Sequence, residues 1–356
     1  MKTLKLAAAL AFSLAAGQAL AWGDVGHKTV GAIADELLKG SRAHKQVSAL
    51  LLPGETLSSL SVWADCVKGN WCGPQTPEMA EFVKAHPKHN DYHFTNVPFQ
   101  KDAYRDGEVG TRDIDIVQTL KESIAVLQGK DDAPHNPRGF TKRQALAMVA
   151  HLVGDIHQPL HVGEAYVSRA SKFVVPATRE QVDGLEIIGS AGGNKLLLED
   201  RKYWPARDLA PFAQPTSDGA KREGKSLHVY WDVTVVESAM KRAGTATPQE
   251  FAKRAIDGAP AVPATGGTPA AWPNAWANET LGLSKAAYGD LTLVDVLQTT
   301  SRRGEASFSW YATAPEAYTT LATMAAERQL VRGGYRLAEV LKAIWPDTAR
   351  PKKARR

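Results

Sequence analysis

Apolar residues recur at three- and four-residue spacing along most of the chain, which is the pattern of amphipathic helices. Eight segments show this spacing and are predicted to be helices: 25–38, 114–127, 142–156, 227–240, 248–256, 291–299, 315–330 and 333–344. Strand signals are few. The apolar runs 173–175 and 185–188, followed by a Gly-rich stretch, predict one small β-hairpin. Residues 259–273, rich in Pro, Gly and Ala, are predicted to form a loop. We therefore expect a single, mainly α domain of many helices.

The first 21 residues have a different character. Lys2 and Lys5 precede a mostly apolar run that ends at Leu20, and positions 19–21 form a small-x-small cleavage signal. This arrangement is typical of a secretory signal peptide, and the apolar run is too short to span a membrane. No other segment approaches the length of a membrane span. We expect cleavage after Ala21, a mature chain that begins at Trp22, and a secreted or periplasmic protein.

Composition adds two constraints. The chain has 43 Lys and Arg against 38 Asp and Glu, a formal net charge of +5 that is compatible with a polyanionic partner but does not require one. The basic tail 347–356 is predicted to be disordered, which leaves residues 22–346 as the domain. Cys66 and Cys72 are expected to form one small-loop disulfide in an exported protein, with free thiols as the alternative.

The segment 151–161 carries the clearest candidate chemistry. His151 and Asp155 are four residues apart and share one face of the predicted helix, which Gln158 and Pro159 end before His161. An otherwise apolar helix should not carry such groups unless something satisfies them. Imidazole and carboxylate are the ligand types that bind zinc in open catalytic sites. The segment therefore predicts a metal site.

Four other clusters carry the same ligand chemistry, at 22–27, 62–68, 90–98 and 226–232. Each alone is also compatible with a core histidine or with a carboxylate that caps a helix. Together with the segment 151–161 they supply candidate ligands for more than one zinc ion. The nine candidates are Trp22, His27, Asp65, His93, His151, Asp155, His161, His228 and Asp232.

The order of these clusters resembles a known family. The motifs are Trp22-x4-His27, Trp63-Ala64-Asp65, His93-Phe94, the His-x3-Asp-x-His-Gln-Pro-Leu-His run of 151–161, and Leu-His-x2-Trp-Asp at 227–232. In this order they are similar to the trinuclear-zinc single-strand-specific nuclease/3′-nucleotidase family of the mung bean nuclease type. The resemblance covers the whole mature chain and includes Gly192-Gly193-Asn194. It implies the helical fold shared with zinc-dependent phospholipase C.

The resemblance also implies the site. One zinc ion would be held by Asp65, His93, His151 and Asp155; a second by the Trp22 amino nitrogen and carbonyl oxygen, His27 and Asp155; and a third by His161, His228 and Asp232. Asp155 would then bridge two ions, and only a chain cleaved before Trp22 offers a free amine. Lys68 would bind a substrate phosphate and Asn194 would also contact the substrate.

The implied activity is that of a secreted, monomeric zinc endonuclease. It would hydrolyse single-stranded DNA or RNA to 5′-phosphorylated products and also act on 3′-nucleotides. A zinc-dependent phospholipase C is the first alternative, although that family typically closes its last ligand pair with Glu rather than Asp232. The second is an exported metal- or nucleic-acid-binding protein without turnover. A zinc peptidase is not expected, because the chain lacks His-Glu-x-x-His.

The chain departs from the family pattern around the substrate. No aspartate follows His93 closely, and the substitutes left open are Asp91, Asp102 and Asp106. Residues 167–191 resemble an insertion that could reshape the substrate rim. Three aromatic residues are candidates for base stacking and equally for the core: Tyr92, Phe94 and Tyr166. Of the remaining histidines, His86, His89, His44 and His135 are expected to be exposed, and His157 to orient a ligand.

Overall fold

The computed structural model describes residues 22–70, 72–198, 213–215, 221–258, 260, 262–300 and 306–347. The predicted signal peptide, and the predicted tail beyond Asp347, lie outside these ranges. The helices are α1 Gly23–Leu38, α2 Arg42–Ser48, α3 Leu57–Leu60, α4 Trp63–Cys66, α5 Pro77–Ala85, α6 Ile116–Leu127, α7 Lys142–Asp155, α8 Arg179–Asp183, α9 Leu227–Val229, α10 Val236–Arg242, α11 Pro248–Asp257, α12 Trp272–Gly289 and α13 Tyr318–Ile344. Short 3-10 turns occupy His89–His93 and Pro159–His161, and a π-helical turn spans Tyr230–Val235.

The strands are short, apart from one long pair. They are β1 Val97–Pro98, β2 Gly163–Glu164, β3 Tyr166–Ser168, β4 Phe173–Val174, β5 Ile187–Gly189, β6 Leu196–Leu198, β7 Ala213–Pro215, β8 Lys221–Glu223, β9 Lys225–Ser226, β10 Thr292–Thr300 and β11 Ala306–Thr313. Within the described ranges they form four small sheets, with strand orders β1-β2, β4-β3-β5, β10-β11-β6-β9 and β7-β8. The prediction of a mainly α fold is confirmed.

The core is built around α1, α7 and α13. Thr141 caps α7, and every residue from Ala145 to Asp155 is buried. A buried helix of this kind is apolar all round, apart from residues with a specific role. Helices α1 and α13 approach closely at Gly334, where a Cβ would lie 2.4 Å from the Cβ of Ile33. This contact fixes α1, and with it the start of the described chain, against the centre of the protein.

Three predictions about elements are wrong. Residues 291–299 form strand β10 rather than a helix, and exposed Thr292, Val294 and Val296 alternate with half-buried neighbours at the period of two that a strand requires. The runs 173–175 and 185–188 do not pair with each other, because β4 and β5 lie on opposite sides of β3. Residues 315–330 and 333–344 are helical from Tyr318 onwards, but the division into two helices is wrong, because α13 is continuous and its central glycines pack on α1.

Helix α12 has no counterpart in the predicted elements. It begins with Trp272 and Pro273 directly after the Pro- and Gly-rich loop, so the loop signal obscured its start. The predicted disulfide is confirmed, since Cys66, the last residue of α4, is bonded to Cys72. None of the helices that the structure describes is both long enough and apolar enough to cross a membrane.

Candidate metal centre

The end of α7 places the central residues of the site. His151 and Asp155 lie one turn apart on the buried helix, and the following 3-10 turn presents His161 beside them. Gln158 fixes that turn by accepting a hydrogen bond from the main-chain nitrogen of Leu160. The side chains of His151, Asp155 and His161 therefore lie together among buried apolar residues, as their spacing in the sequence predicts.

Backbone carbonyls orient three of the histidines. The Nδ1 of His151 donates to the Ser61 carbonyl at 2.6 Å, and that of His161 to the His93 carbonyl at 2.7 Å. The Nδ1 of His228 donates to the Gly192 carbonyl at 2.6 Å. Each bond fixes one tautomer and leaves the Nε2 lone pair facing the site. Main-chain partners of this kind are typical of metal-binding histidines.

The first cluster combines α4, the 89–93 turn and α7. Asp65, His93 and His151 each bring one potential ligand atom within 4.8 Å of the others. The Nδ1 of His93 lies 3.0 Å from the Nε2 of His151 and 3.1 Å from Oδ2 of Asp155. Lys68, one turn after Asp65, places its Nζ 2.6 Å from Oδ1 of that carboxylate. The Lys68 ammonium thus lies directly beside the His and Asp side chains of the first cluster.

The second cluster joins α1 to α7. His27, His151 and Asp155 form it, and the Nε2 of His27 lies 3.1 Å from Oδ1 of Asp155. Asp155 therefore faces both the first and the second cluster with different oxygens, as expected of a bridging carboxylate.

The main-chain nitrogen of Trp22 is close to this group but donates to Oδ1 of Asp232 at 3.1 Å. A nitrogen within a peptide bond can donate in this way but has no lone pair for a metal. The Trp22 indole is fixed by a 2.8 Å bond to the Gly154 carbonyl, which places the start of α1 beside α7.

The third cluster consists of His161, His228 and Asp232. The two Nε2 atoms of His161 and His228 are 3.3 Å apart, and Oδ2 of Asp232 lies 3.2 Å from the Nε2 of His228. Ser226 caps α9 ahead of His228, and the π-helical turn carries Asp232. We call the eight side chains of the three clusters the metal centre.

Several atoms of the metal centre have no hydrogen-bond partner within the described part of the chain. They are both ring nitrogens of His27, Oδ1 of Asp155 and Oδ2 of Asp232. Each is fully buried, and leaving such groups unpaired costs roughly 1–3 kcal/mol apiece. The Nε2 of His27 lies 3.1 Å from Oδ1 of Asp155, and Oδ2 of Asp232 lies 3.2 Å from the Nε2 of His228, so a cation at each of these places would satisfy the facing atoms. Nitrogen and carboxylate oxygen at this spacing are ligands suited to zinc.

The electrostatics of the centre agree with that role. Burial, reinforced by the charge of Lys68, lowers the pKa of His93 to about 3. Burial likewise lowers the pKa of His161 to about 4 and that of His228 to about 3. These imidazoles are neutral near pH 7 and keep the lone pair that a metal needs. Burial raises the pKa of Asp232 well above its usual range, so a neighbouring cation is needed to keep it ionised.

The centre is open to solvent on one side through a cavity of about 400 Å³, which we call the metal cavity. Its lining residues are Lys68, Asn90, His93, Phe94, Asn96, Arg112, Leu160, His161, Ala191, Gly192, Asn194 and His228. Lys68 and Asn194, the two residues predicted to bind substrate, both line it. Of the three aromatic candidates, Phe94 lines it, whereas Tyr92 packs against Phe140 and Arg138 in the core. Tyr166 lines a neighbouring cavity instead.

The structure also shows where the three aspartates lie that could replace the one missing after His93. Asp102 pairs with Lys285 at 2.5 Å and Asp106 accepts from Gln118 at 2.7 Å, both away from the metal cavity. Asp91 pairs with Arg112 at 3.0 Å. Arg112 lies in no motif, so nothing in the sequence distinguished it from other surface arginines.

The expectation that His86 and His89 are exposed is wrong, because both rings are buried against Phe82. His157 belongs to none of the three clusters. Its Nδ1 donates to the Val153 carbonyl and its Nε2 accepts from Arg336. Among the others, His135 is exposed and His44 is partly so.

The fold and the site together define a class: a mainly helical protein in which three buried His and Asp clusters lie beneath one open cavity. Comparison with known proteins gives the family. The description "S1/P1 Nuclease" matches residues 22–204 and 213–346, so the chain belongs to the S1/P1 nuclease family. Proteins of this family are zinc-dependent, and the three clusters could hold such ions.

Individual relatives are more distant. Endonuclease 4 of Arabidopsis thaliana is 26% identical over 230 residues, which cover 63% of this chain and 58% of the relative. Endonuclease 2 of the same plant is 30% identical over 152 residues, covering 40% and 46%. Nuclease S1 of Aspergillus oryzae is 30% identical over 146 residues, covering 39% and 44%. The chain thus spans about half the length of the curated relatives it matches.

Proposed function

We propose that this protein is a zinc-dependent nuclease that hydrolyses phosphodiester bonds of single-stranded DNA and RNA to 5′-phosphorylated products, and that it also removes the phosphate of 3′-nucleotides. One observation carries the proposal: three clusters of buried His and Asp side chains lie close together, and their members His93, His161 and His228 line a cavity that Lys68 also lines. Family membership and the printed names of the relatives support the same chemistry.

The proposed ligands follow the three clusters. Asp65, His93, His151 and Asp155 would hold one zinc ion, and His161, His228 and Asp232 another. His27 and Asp155 would hold a third together with Trp22. The last assignment needs a free amine at Trp22, so we propose that cleavage after Ala21 is part of building the site.

Bound zinc would supply an acidified water and polarised phosphoryl oxygens, which phosphodiester hydrolysis requires at neutral pH. The protein would supply position and charge. Lys68 lines the cavity with its ammonium next to Asp65, where it can donate to a non-bridging phosphate oxygen. The Nδ2 of Asn194 donates to the Ala191 carbonyl at 2.8 Å, which fixes the amide at the cavity wall for contact with substrate. Phe94 offers an aromatic face for an unpaired base.

The decisive experiment pairs metal analysis with substrate choice. Mature protein beginning at Trp22 should contain three zinc ions per chain and should release nucleotides from single-stranded DNA and RNA faster than from duplex DNA. A chelator should abolish the activity, and added zinc should restore it. Cleavage of phosphatidylcholine without cleavage of nucleic acid would instead establish a phospholipase C. Full zinc content with no turnover on any of these substrates would establish a binding protein.

We also propose that the protein is exported and acts as a monomer. The bonded cysteines Cys66 and Cys72 support an oxidising compartment. Detection of the mature form in a periplasmic or culture fraction, with Trp22 as its first residue, tests the export. Light scattering of that form at working concentration tests the oligomeric state.

A further inference from the structure

The insertion at 167–191 builds one wall of a second cavity. Strands β3, β4 and β5 form its small sheet, and α8 lies between β4 and β5 in the chain. Between this sheet and the loop 108–112 lies a cavity of about 260 Å³, which we call the insertion cavity. Its lining residues are Asn96, Val109, Gly110, Thr111, Arg112, Glu164, Tyr166, Arg179, Val182, Asp183, Gly189 and Ala191.

The insertion cavity adjoins the metal cavity. Three residues line both spaces: Asn96, Arg112 and Ala191. Asn96 is held in place through its main chain, which accepts a 3.0 Å hydrogen bond from the Tyr166 hydroxyl and donates to the Gly110 carbonyl. An extended ligand bound in the metal cavity can therefore continue into the insertion cavity along the wall that Asn96 forms.

The lining has the chemistry of a nucleotide site. Arg112 and Arg179 bring two guanidinium groups to it, and Arg179 bridges the insertion to the loop by donating to the Thr111 carbonyl at 2.8 Å. Tyr166 and Val182 supply an aromatic and an aliphatic surface. Arginine is suited to phosphate because its planar fork presents several N–H donors at once.

Two acids also line the cavity. Glu164 is fully buried, and both its oxygens are already occupied: Oε1 accepts from the Ser190 hydroxyl at 2.8 Å and Oε2 from the Gly192 amide at 2.7 Å. Asp183 is exposed at the end of α8. The buried acid is thus turned towards the protein, and Arg112 is already paired with Asp91 at 3.0 Å. The guanidinium of Arg179 donates to the Glu108 and Thr111 carbonyls, which leave its charge available to a ligand in the cavity.

We propose that the insertion cavity is a subsite for the nucleotide that neighbours the one at the metal centre, with Arg179 contacting its phosphate. The inference rests on the proposed function and extends it, because it makes this protein favour an oligonucleotide over a single phosphodiester. The phosphate is the recognised group, so the subsite accepts any base and serves single strands, whose backbone can bend between the two cavities.

The test uses short thymidine oligomers with a single cleavable bond. The probes are the dinucleoside monophosphate TpT, and TpTpT in which one linkage at a time is a neutral methylphosphonate. The zinc-loaded, mature protein should lose activity on one of these two trimers relative to a charged trimer, by about fivefold to tenfold in kcat/KM per cleavable bond, as expected for one charge-assisted phosphate contact. The trimer affected identifies the side of the scissile bond on which the subsite lies.

Arg179→Gln should abolish this charge sensitivity, so that charged and neutral trimers are cleaved alike. Arg169→Gln is the matched control: Arg169 is an exposed arginine of the same insertion that stacks over Phe308 and does not line the cavity. It should behave as the unmodified protein does. Val182→Phe, which fills the cavity without changing charge, should also reduce the ratio of trimer to dimer cleavage.

Two results would overturn the subsite. One is an unmodified protein that cleaves TpT and both modified trimers equally well. The other is an Arg179→Gln variant that keeps full charge sensitivity while its melting temperature is unchanged. Failure of the proposed function gives a different result, because the unmodified zinc-loaded protein would then cleave neither TpT nor any trimer.

Discussion

The metal centre and the insertion cavity lie side by side but are held by different forces. No residue of the metal centre is more than 5% exposed, and three of its histidines are fixed by hydrogen bonds to main-chain carbonyls from other parts of the chain. The insertion cavity rests on two- and three-residue strands, and its insertion carries exposed apolar residues such as Val175 and Leu185. In the proposed function, the chemistry would therefore lie on the deeply buried part, and substrate selection on a part that can change without disturbing it.

This contrast predicts that substitutions in the metal centre abolish activity, whereas substitutions in the walls of the two cavities reduce it by smaller amounts. The strongest should come from Asp155→Asn. The amide keeps the shape of the side chain but loses the charge that faces two clusters, so we expect turnover to fall on the order of a thousandfold. Zinc content should fall with it. Measurement of metal by mass spectrometry and of nucleotide release from single-stranded DNA checks both.

The matched control is Asp257→Asn, on the exposed end of α11, where the carboxylate pairs only with Lys253 among the described residues. It should leave zinc content and turnover unchanged. Near-normal turnover of Asp155→Asn with full zinc content would remove this residue from the metal centre.

The next largest effect should come from extending the chain ahead of Trp22. In the uncleaved chain the Trp22 nitrogen donates to Asp232 and cannot bind a metal. A mature protein with a few extra residues before Trp22 should lose activity by about a hundredfold, because one of the zinc sites lacks its amine ligand. Removal of the extension with a site-specific protease should restore both the activity and the missing zinc.

The same residues appended at the C-terminus provide the control, since they add equal bulk far from Trp22 in sequence. An extended N-terminus with full activity and full zinc content would show that the amine is not a ligand.

Lys68 contacts Asp65 of the metal centre and also lines the metal cavity, where substrate is proposed to bind. Lys68→Gln should lower kcat/KM by roughly tenfold to a hundredfold, because a substrate phosphate loses one charged donor. Zinc content should remain full. Lys68→Arg should recover part of the loss, whereas Lys28→Gln, on the exposed face of α1, should have no effect. Loss of zinc from Lys68→Gln would indicate that Lys68 serves the metal ligands rather than the substrate.

The two regions also differ in how far the sequence could predict them. The spacing of His151, Asp155 and His161 was sufficient to predict a cluster, because helix periodicity places i and i+4 on one face. The close α1–α13 contact at Gly334 left no such signal. Neither did Arg112, which acquires its place at both cavities only when the loop 108–112 folds against Asn96.

Errors in the secondary structure have a similar origin. Residues 291–299 contain apolar side chains at spacings compatible with either period, and pairing with β11 decides in favour of a strand. The runs 173–175 and 185–188 each contain part of a strand, β4 or β5, but both strands pair with β3 rather than with each other. Short strands of this kind depend on tertiary partners more than on local preference, so the rim that they build is the least predictable part of the site.

The smallest effect should come from the rim itself, at Phe94. This ring follows a metal-ligand candidate in sequence and lines the metal cavity, where a splayed base can stack on it. Phe94→Leu keeps an apolar side chain but removes the aromatic face, so KM for single-stranded DNA should rise about fivefold to tenfold. The value of kcat and the zinc content should change little. Phe173→Leu, in the insertion, removes a half-buried ring that packs on Phe99 outside the cavity and should leave KM unchanged. If Phe94→Leu instead lowered kcat at constant KM, the ring would act by positioning His93. Phe94 would then belong functionally to the metal centre rather than to the part of the cavity wall that binds substrate.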